Sequence, residues 1–347
     1  MQFGDVIGNR ELKKTLAQMV DSNRLSHAIL LCEHNGGGAF PLALALAQYA
    51  NCRDRKDGDS CGVCPSCHKY RKLIHPDLHF VFPVSSTKEL SESEKKAPIS
   101  DYFLNSFTDL ALRNPYFGEQ ELYESLDIDN KSGNISVNEA RRIFEKLSLR
   151  ASEGFYKVMV IFLPEKMNQE AGNKLLKIIE EPPQQTLFLL ISHNPERVLQ
   201  TIRSRCLRID LKPMDREEKN TAAPASDNAS MRGTITTLLE AVSRKDLAAT
   251  FPIWESLAET GREKQKEFCL YSEEFIRKIF LVANGLESLA DIHPAEEEAI
   301  RGLAKGLKPH FYEKALSVLD GVISAVEGNV NPKLVFCDMC NSLLQAM

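Results

Sequence analysis

Ala28-Ile29-Leu30-Leu31-Cys32-Glu33-His34-Asn35-Gly36-Gly37-Gly38-Ala39-Phe40-Pro41-Leu42-Ala43-Leu44-Ala45-Leu46-Ala47 carries the decision about the fold. Residues 28–32 are wholly apolar, as a strand buried on both faces must be. Three glycines follow, and the segment from Pro41 to Ala50 reads as a helix with proline in its first turn. Strand, glycine loop and helix in that order are the layout of a phosphate-binding turn. Its chemistry is missing. In the register G-x-x-x-x-G-K-[ST], Glu33 stands at the first glycine and Gly38 at the second. Ala39 replaces the lysine that neutralises phosphate, and Phe40 replaces the hydroxyl that holds magnesium. No Gly-Lys dipeptide occurs in the chain, so shifting the register restores nothing, and Glu33 sets a negative charge near where phosphate would lie.

Working outward, Val158–Leu163 and Thr186–Ser192 are two more buried-strand candidates, and Leu78–Pro83 is a further one. Helices are expected over 10–23, where Leu12, Leu16, Met19 and Val20 keep helical spacing, and over 170–181, ended by Pro182-Pro183. The alternation predicts a parallel sheet covered on both faces, with residues 1–211 as one α/β domain. An NTPase of this layout needs an aspartate at the end of its second core strand and usually a glutamate to orient water. Here Phe162-Leu163-Pro164 stands at that place, and Glu165 follows too late to reach the strand tip. Two lost motifs point to a fold kept without its chemistry.

Nine cysteines are present. Cys52, Cys61, Cys64 and Cys67 are spaced C-x8-C-x2-C-x2-C, which allows four thiolates to converge on one metal ion. The intervening Arg53 to Ser60 is too polar to build a core, so a metal supplies the cross-link that packing cannot. The reading is a structural zinc module, residues 52–67, preferred over a redox cluster. His68 is adjacent, but four thiolates already close the shell. Cys337 and Cys340, in an expected helix, read as buried free thiols.

The 347 residues allow two or three domains. Apolar residues at 43% and charged ones at 26% exclude collagen-like, mucin-like and wholly disordered chains. With 43 Lys and Arg against 48 Asp and Glu, a wholly basic nucleic-acid coat is excluded, while a local basic site is not. No apolar run is long enough to cross a bilayer and the first residues do not resemble a signal peptide, so a cytoplasmic protein is expected. Residues 212–233 are polar and form a linker candidate. From 234 to 347 no strand signal survives, and spacings such as Phe268, Tyr271, Phe275 and Ile279 predict an all-helical domain.

Several stretches together resemble one family. Phe155 through Asn168, Ala171 through Pro183, and Thr201-Ile202-Arg203-Ser204-Arg205-Cys206 are similar to the delta prime clamp-loader family of bacterial DNA polymerase III. The opening Phe3 to Asn9, Ser26-His27-Ala28, the four cysteines, His75-Pro76-Asp77 and Asn331-Pro332-Lys333-Leu334 fit it too. The resemblance covers residues 1–210 closely and 234–347 more loosely. It implies an AAA+ P-loop α/β domain with a zinc-module insertion and a helical collar domain, in a hetero-pentamer of ATPase subunits and delta that loads the sliding clamp onto primer-template DNA. It implies no productive ATP binding at Gly36, Gly37, Gly38, Ala39 and Phe40, and a trans arginine finger at Arg205. It also implies a helical lid, for which 212–233 is too short, so the lid is expected to be reduced or missing.

The residues alone give Arg205 some support: Arg197, Arg203, Arg205 and Arg208 follow one another with no acid between them, concentrating positive charge. Arg141 and Arg142 open a basic helix expected to Arg150, which a solvated face explains as well as DNA contact does. The residues leave two other functions open: an active AAA+ ATPase using Glu165 with Lys157 or Lys166, and a zinc-dependent nucleic-acid reader built on the four cysteines.

Overall fold

The computed structural model describes residues 1–33, 37–88, 90–128, 133–148, 152–183, 185–214, 228–290, 292 and 296–347. Two compact units divide it, Met1–Ala223 and Pro224–Met347.

The first unit runs α1 (Arg10–Asp21), β1 (Ala28–Cys32), α2 (Ala39–Ala50), α3 (Pro65–Arg71), β2 (Leu78–Val81), α4 (Glu92–Lys96), α5 (Leu104–Arg113), α6 (Glu119–Ser125), α7 (Val137–Ser148), β3 (Lys157–Phe162), α8 (Gln169–Glu180), β4 (Thr186–Ser192), α9 (Gln200–Arg203) and β5 (Leu207–Asp210). The strands form one parallel sheet in the order β2-β3-β4-β1-β5. Ala28 pairs with Phe188, and Lys157 with Thr186, so the three longest strands lie side by side in the middle. Their apolar interiors follow, because each is buried on both faces; the polar exceptions Lys157, Thr186 and Ser192 stand at strand ends. Alternate residues divide between two cores. Ile29, Leu31, Val158, Val160, Phe162, Leu189 and Ile191 face α1, α2, α5 and α6. Ala28, Leu30, Met159, Ile161, Phe188 and Leu190 face α7 and α8.

β3 stops at Phe162, one residue before the expected end, because Leu163 turns into the left-handed region with φ 55°. That conformation is unfavourable for a side chain with a Cβ, and Pro164 behind it disfavours the right-handed alternative. β2 ends at Val81, two residues short of the expected Pro83. β5 was not anticipated from the sequence. Its four residues alternate apolar and charged, and as an edge strand it is mostly exposed, so it has no apolar run to announce it.

Among its described residues the second unit contains helices and no strand, the α-helices being Asn228–Ser243, Leu247–Glu259, Arg262–Ala283, Glu297–Ala304, Pro309–Glu327 and Pro332–Gln345. Of the stretch 212–233 read as a linker or reduced lid, residues 215–227 lie outside the described residues, and from Asn228 onward the chain is already helix. The buried Ile235, Leu238, Leu239 and Val242 carry that helix, whose start lies in the polar segment. A buried ion pair ties Lys278 Nζ to Glu296 at 2.8 Å, with the Tyr271 hydroxyl donating to the same carboxylate. Cys340 is buried as expected, whereas Cys337 is only half-buried, lying three residues earlier on the same helix.

Candidate functional site

The glycine loop leaves β1 and enters α2, and Gly36 lies outside the described residues. Gly38 is the N-cap, with φ 93°; a Cβ there would meet both Tyr116 and Met214 at 3.3 Å. These two side chains pack together beside Gly38, and the Tyr116 hydroxyl accepts the Ile7 amide at 2.8 Å. Ala39 offers no charge. Its amide, one of the unsatisfied donors at the start of α2, is taken by Glu33 Oε2 at 2.7 Å. Phe40 is 1% exposed and packs 4.9 Å from Phe117, 5.7 Å from Phe107 and 6.1 Å from Phe162. Phe162 in turn lies 5.0 Å from Phe117 and meets His193 edge-on at 5.4 Å. The positions that would hold magnesium and hydroxyl in an NTPase thus form one continuous aromatic core.

The carboxylates nearby are committed as well. Glu165 Oε1 accepts the His193 and Asn194 amides at 2.9 and 3.0 Å, fixing the loop after β4. Lys157 donates to the Lys146 carbonyl at 2.9 Å, and Lys166 pairs with Glu119. The residues weighed for an unconventional ATPase are therefore held in three separate structural contacts.

Arg205 is exposed at the end of α9, where its guanidinium pairs with Glu180 and donates to the Thr201 carbonyl at 2.8 Å. The expected concentration of positive charge around it is not what the fold makes. Arg203 pairs with Glu196; Arg208 pairs with Glu196 at 3.1 Å and with Asp210 at 2.9 Å. These acids flank the arginines in sequence or arrive from α8, so the segment read as uninterrupted positive charge is locally neutralised. Arg197 is exposed and makes no ion pair among the described residues.

Cys52, Cys61, Cys64 and Cys67 do converge: their sulfurs all lie within 4.8 Å of one another. Four sulfurs bound at about 2.3 Å to one ion sit roughly 3.8 Å apart, so a small contraction completes a tetrahedral shell. Amides already point at three of them, from Cys61 to the Cys52 sulfur at 3.2 Å, from Cys64 to Cys61 at 3.4 Å and from Cys67 to Cys64 at 3.5 Å. Such donors stabilise thiolates, and the group can hold a metal ion. His68 is exposed and outside the group. Gly62 takes φ 71°, a conformation that strains any residue with a Cβ, and a Cβ there would also displace the Gln2 side-chain oxygen 2.7 Å away. The polar loop before it is anchored from the N-terminus, with Asp59 accepting the Phe3 and Gly4 amides at 2.9 and 2.8 Å.

Asp77 has a role that its sequence position alone did not announce. It is 1% exposed, and its carboxylate accepts the amides of Ser152, Glu153 and Gly154 at 2.7, 2.8 and 2.7 Å, pinning the entry to β3. Burial pushes its pKa up, but the three amides outweigh that and hold it below the usual carboxylate range. Its stabilisation is therefore complete above the ordinary value of about 4 and fades as pH falls through the lowered folded value. Asp77→Asn is expected to cost about 2 to 3 kcal/mol at neutral pH. Urea melts from pH 7 down to pH 3 check this: the gap between wild type and variant should narrow with acid, and a constant gap refutes the role.

Along the opposite face of the sheet, α7 and α8 border a groove of about 500 Å³ lined by Arg141, Phe144, Glu170, Asn173, Lys174 and Lys177. Arg142 and Lys146, by contrast, are both bound by Asp101. The basic helix spans Val137–Ser148, and Arg150 lies outside the described residues.

The family described as DNA polymerase III, delta subunit, matches residues 8–215. A DNA polymerase III subunit delta prime from Buchnera aphidicola is 30% identical over 186 residues, covering 53% of this chain and 44% of that protein. Its namesake in Bacillus subtilis is 30% identical over 201 residues, 58% of this chain and 46% of that protein. Subunit tau from Escherichia coli is 26% identical over 216 residues, 62% and 26% respectively. The chain spans less than half the length of these curated relatives. Among solved structures, a gamma-subunit-related protein from Thermotoga maritima aligns over 96% of this chain and 98% of its own, with a TM-score of 0.42 and 16% identity.

Proposed function

Since the chain belongs to the DNA polymerase III delta subunit family, with relatives named delta prime, we propose that it is the non-hydrolysing delta prime subunit of a clamp loader. Within an AAA+ ring it works as a fixed member beside ATPase subunits and delta, helping to place the sliding clamp on primer-template DNA in the cytoplasm. It is not an enzyme by itself but a component of the polymerase holoenzyme. Arg205 serves a neighbour's ATP in trans, and Cys52, Cys61, Cys64 and Cys67 hold a structural zinc ion. The division of labour follows the chain: 1–211 as the AAA+ domain, 212–233 as a linker or reduced lid, 234–347 as the collar.

One observation carries this reading: the nucleotide loop is filled by the chain's own side chains, with Glu33 on the Ala39 amide and Phe40 under the rings of Phe117 and Phe162. A triphosphate would meet a carboxylate already on the Ala39 amide, an alanine where it needs a lysine, and an aromatic core where it needs a metal. Contact with DNA fits the α7–α8 groove, where Arg141, Lys174 and Lys177 make no ion pair among the described residues and suit phosphates rather than bases. Titration of the full chain with ATP and magnesium tests the central point. No heat and no fluorescence change are expected up to millimolar ATP; saturable binding would return the ATPase reading to first place.

A further inference from the structure

Among the described residues of the loop, Glu33 is the one with an ionisable side chain, and it is turned inward. Its side chain is only 2% exposed, which is costly for a carboxylate unless something bonds it. Oε2 takes the Ala39 amide at the start of the twelve-residue α2, and Oε1 lies 3.3 Å from His193 Nε2. That imidazole nitrogen is itself buried and makes no hydrogen bond among the described residues, so Glu33 is a close neighbour of an otherwise unsatisfied polar atom. The Glu33 amide donates to the Ser192 carbonyl at 3.0 Å, and Glu165 fixes the next two amides of the same loop. A helix N-terminus that attracts anions, a buried imidazole and a rigid strand end therefore converge on one internal carboxylate.

We propose that Glu33 is the loop's own ligand: its carboxylate occupies the anion position at the start of α2 and holds the strand-to-helix junction in a single, permanently filled state. The position is latent, able to take a small free carboxylate once the internal one is removed, but closed to a nucleotide by Phe40, Tyr116 and Met214. This rests on reading residues 36–40 as a phosphate loop without nucleotide, and it deepens that reading by naming what replaces the nucleotide.

The test uses the full chain, the Glu33→Ala variant and formate, with chloride at equal ionic strength as the control. Glu33→Ala is expected to melt on the order of 5 °C lower and to exchange the Ala39 amide about tenfold faster. Formate should recover both, chloride neither, and wild type should respond to neither salt. Glu33→Gln, which keeps the shape and fills the space, should exchange Ala39 faster and gain nothing from formate. Wild-type protection of Ala39 in both variants overturns the proposal, and so does a loss in Glu33→Ala that formate leaves in place or that chloride repairs equally. ATP binding by wild type would instead sink the nucleotide-free reading and with it the closure to nucleotide, while the formate result would still decide by itself whether Glu33 is the ligand of the Ala39 amide.

Discussion

Arg205→Ala, built into a loader reconstituted with its ATPase subunits, is expected to slow hydrolysis at the neighbouring ATP site by roughly 10³-fold or more. The argument is one of exchange. In the isolated chain the guanidinium rests on Glu180, with about a third of the side chain exposed. A surface pair of this kind contributes only about 0 to 1 kcal/mol, so surrendering it to a triphosphate costs little. The new partner offers more, since charge spreads over the equatorial oxygens as the phosphoryl group transfers, and a planar fork of donors stabilises it in a dry interface. Arg205→Lys keeps the charge but loses the fork and should recover only part of the rate. Glu180→Gln frees the finger and should leave hydrolysis intact. The measurement is clamp- and DNA-stimulated phosphate release after sedimentation has shown equal assembly, and an unchanged rate with Arg205→Ala would remove the arginine from the mechanism.

Cys64→Ser carries the second large effect. Cys64 caps α3 with its own sulfur, receives the Cys67 amide and supplies one of four thiols, so its loss opens the shell and the helix start together. Structural zinc contributes about 10 to 16 kcal/mol in small fingers. Even a fraction of that rivals the net stability of a whole domain, about 5 to 15 kcal/mol. Wild type is expected to carry one zinc per chain and the variant almost none, with the first unit losing its cooperative melt. A chelator should reproduce the loss on wild type. Asp59 and its bonds to Phe3 and Gly4 hold the loop from the other side, and should they suffice alone, the variant would melt like wild type and the metal would have no structural task.

The sequence was most readable where burial was most complete. Residues 28–32 and 187–191 are wholly apolar, and both lie within strands that form. β5 was invisible because an edge strand needs no apolar run, and Leu207 to Asp210 alternates apolar with charged residues instead. The loss of lysine and hydroxyl at Ala39 and Phe40 was plain in the motif. What took their place was not, because Phe40, Phe117 and Phe162 are far apart in the chain and only the fold stacks them. The arginines around Arg205 misled for the same reason: Glu180 arrives from another helix, and a one-dimensional count of charge cannot see it. The four cysteines were legible because their partners are local, each within a few residues of the next along most of the module.

The order of strands has a consequence for how the chain is made. β1 lies between β4 and β5, and Ala28 pairs with Phe188, roughly 160 positions later. At about 5 to 20 residues per second, a ribosome needs roughly 8 to 30 s to deliver that partner. Throughout that interval Ala28 to Cys32 emerges as an apolar segment with both hydrogen-bonding edges vacant. Newly synthesised chains are therefore predisposed to engage holdase chaperones before the central strand can close the sheet.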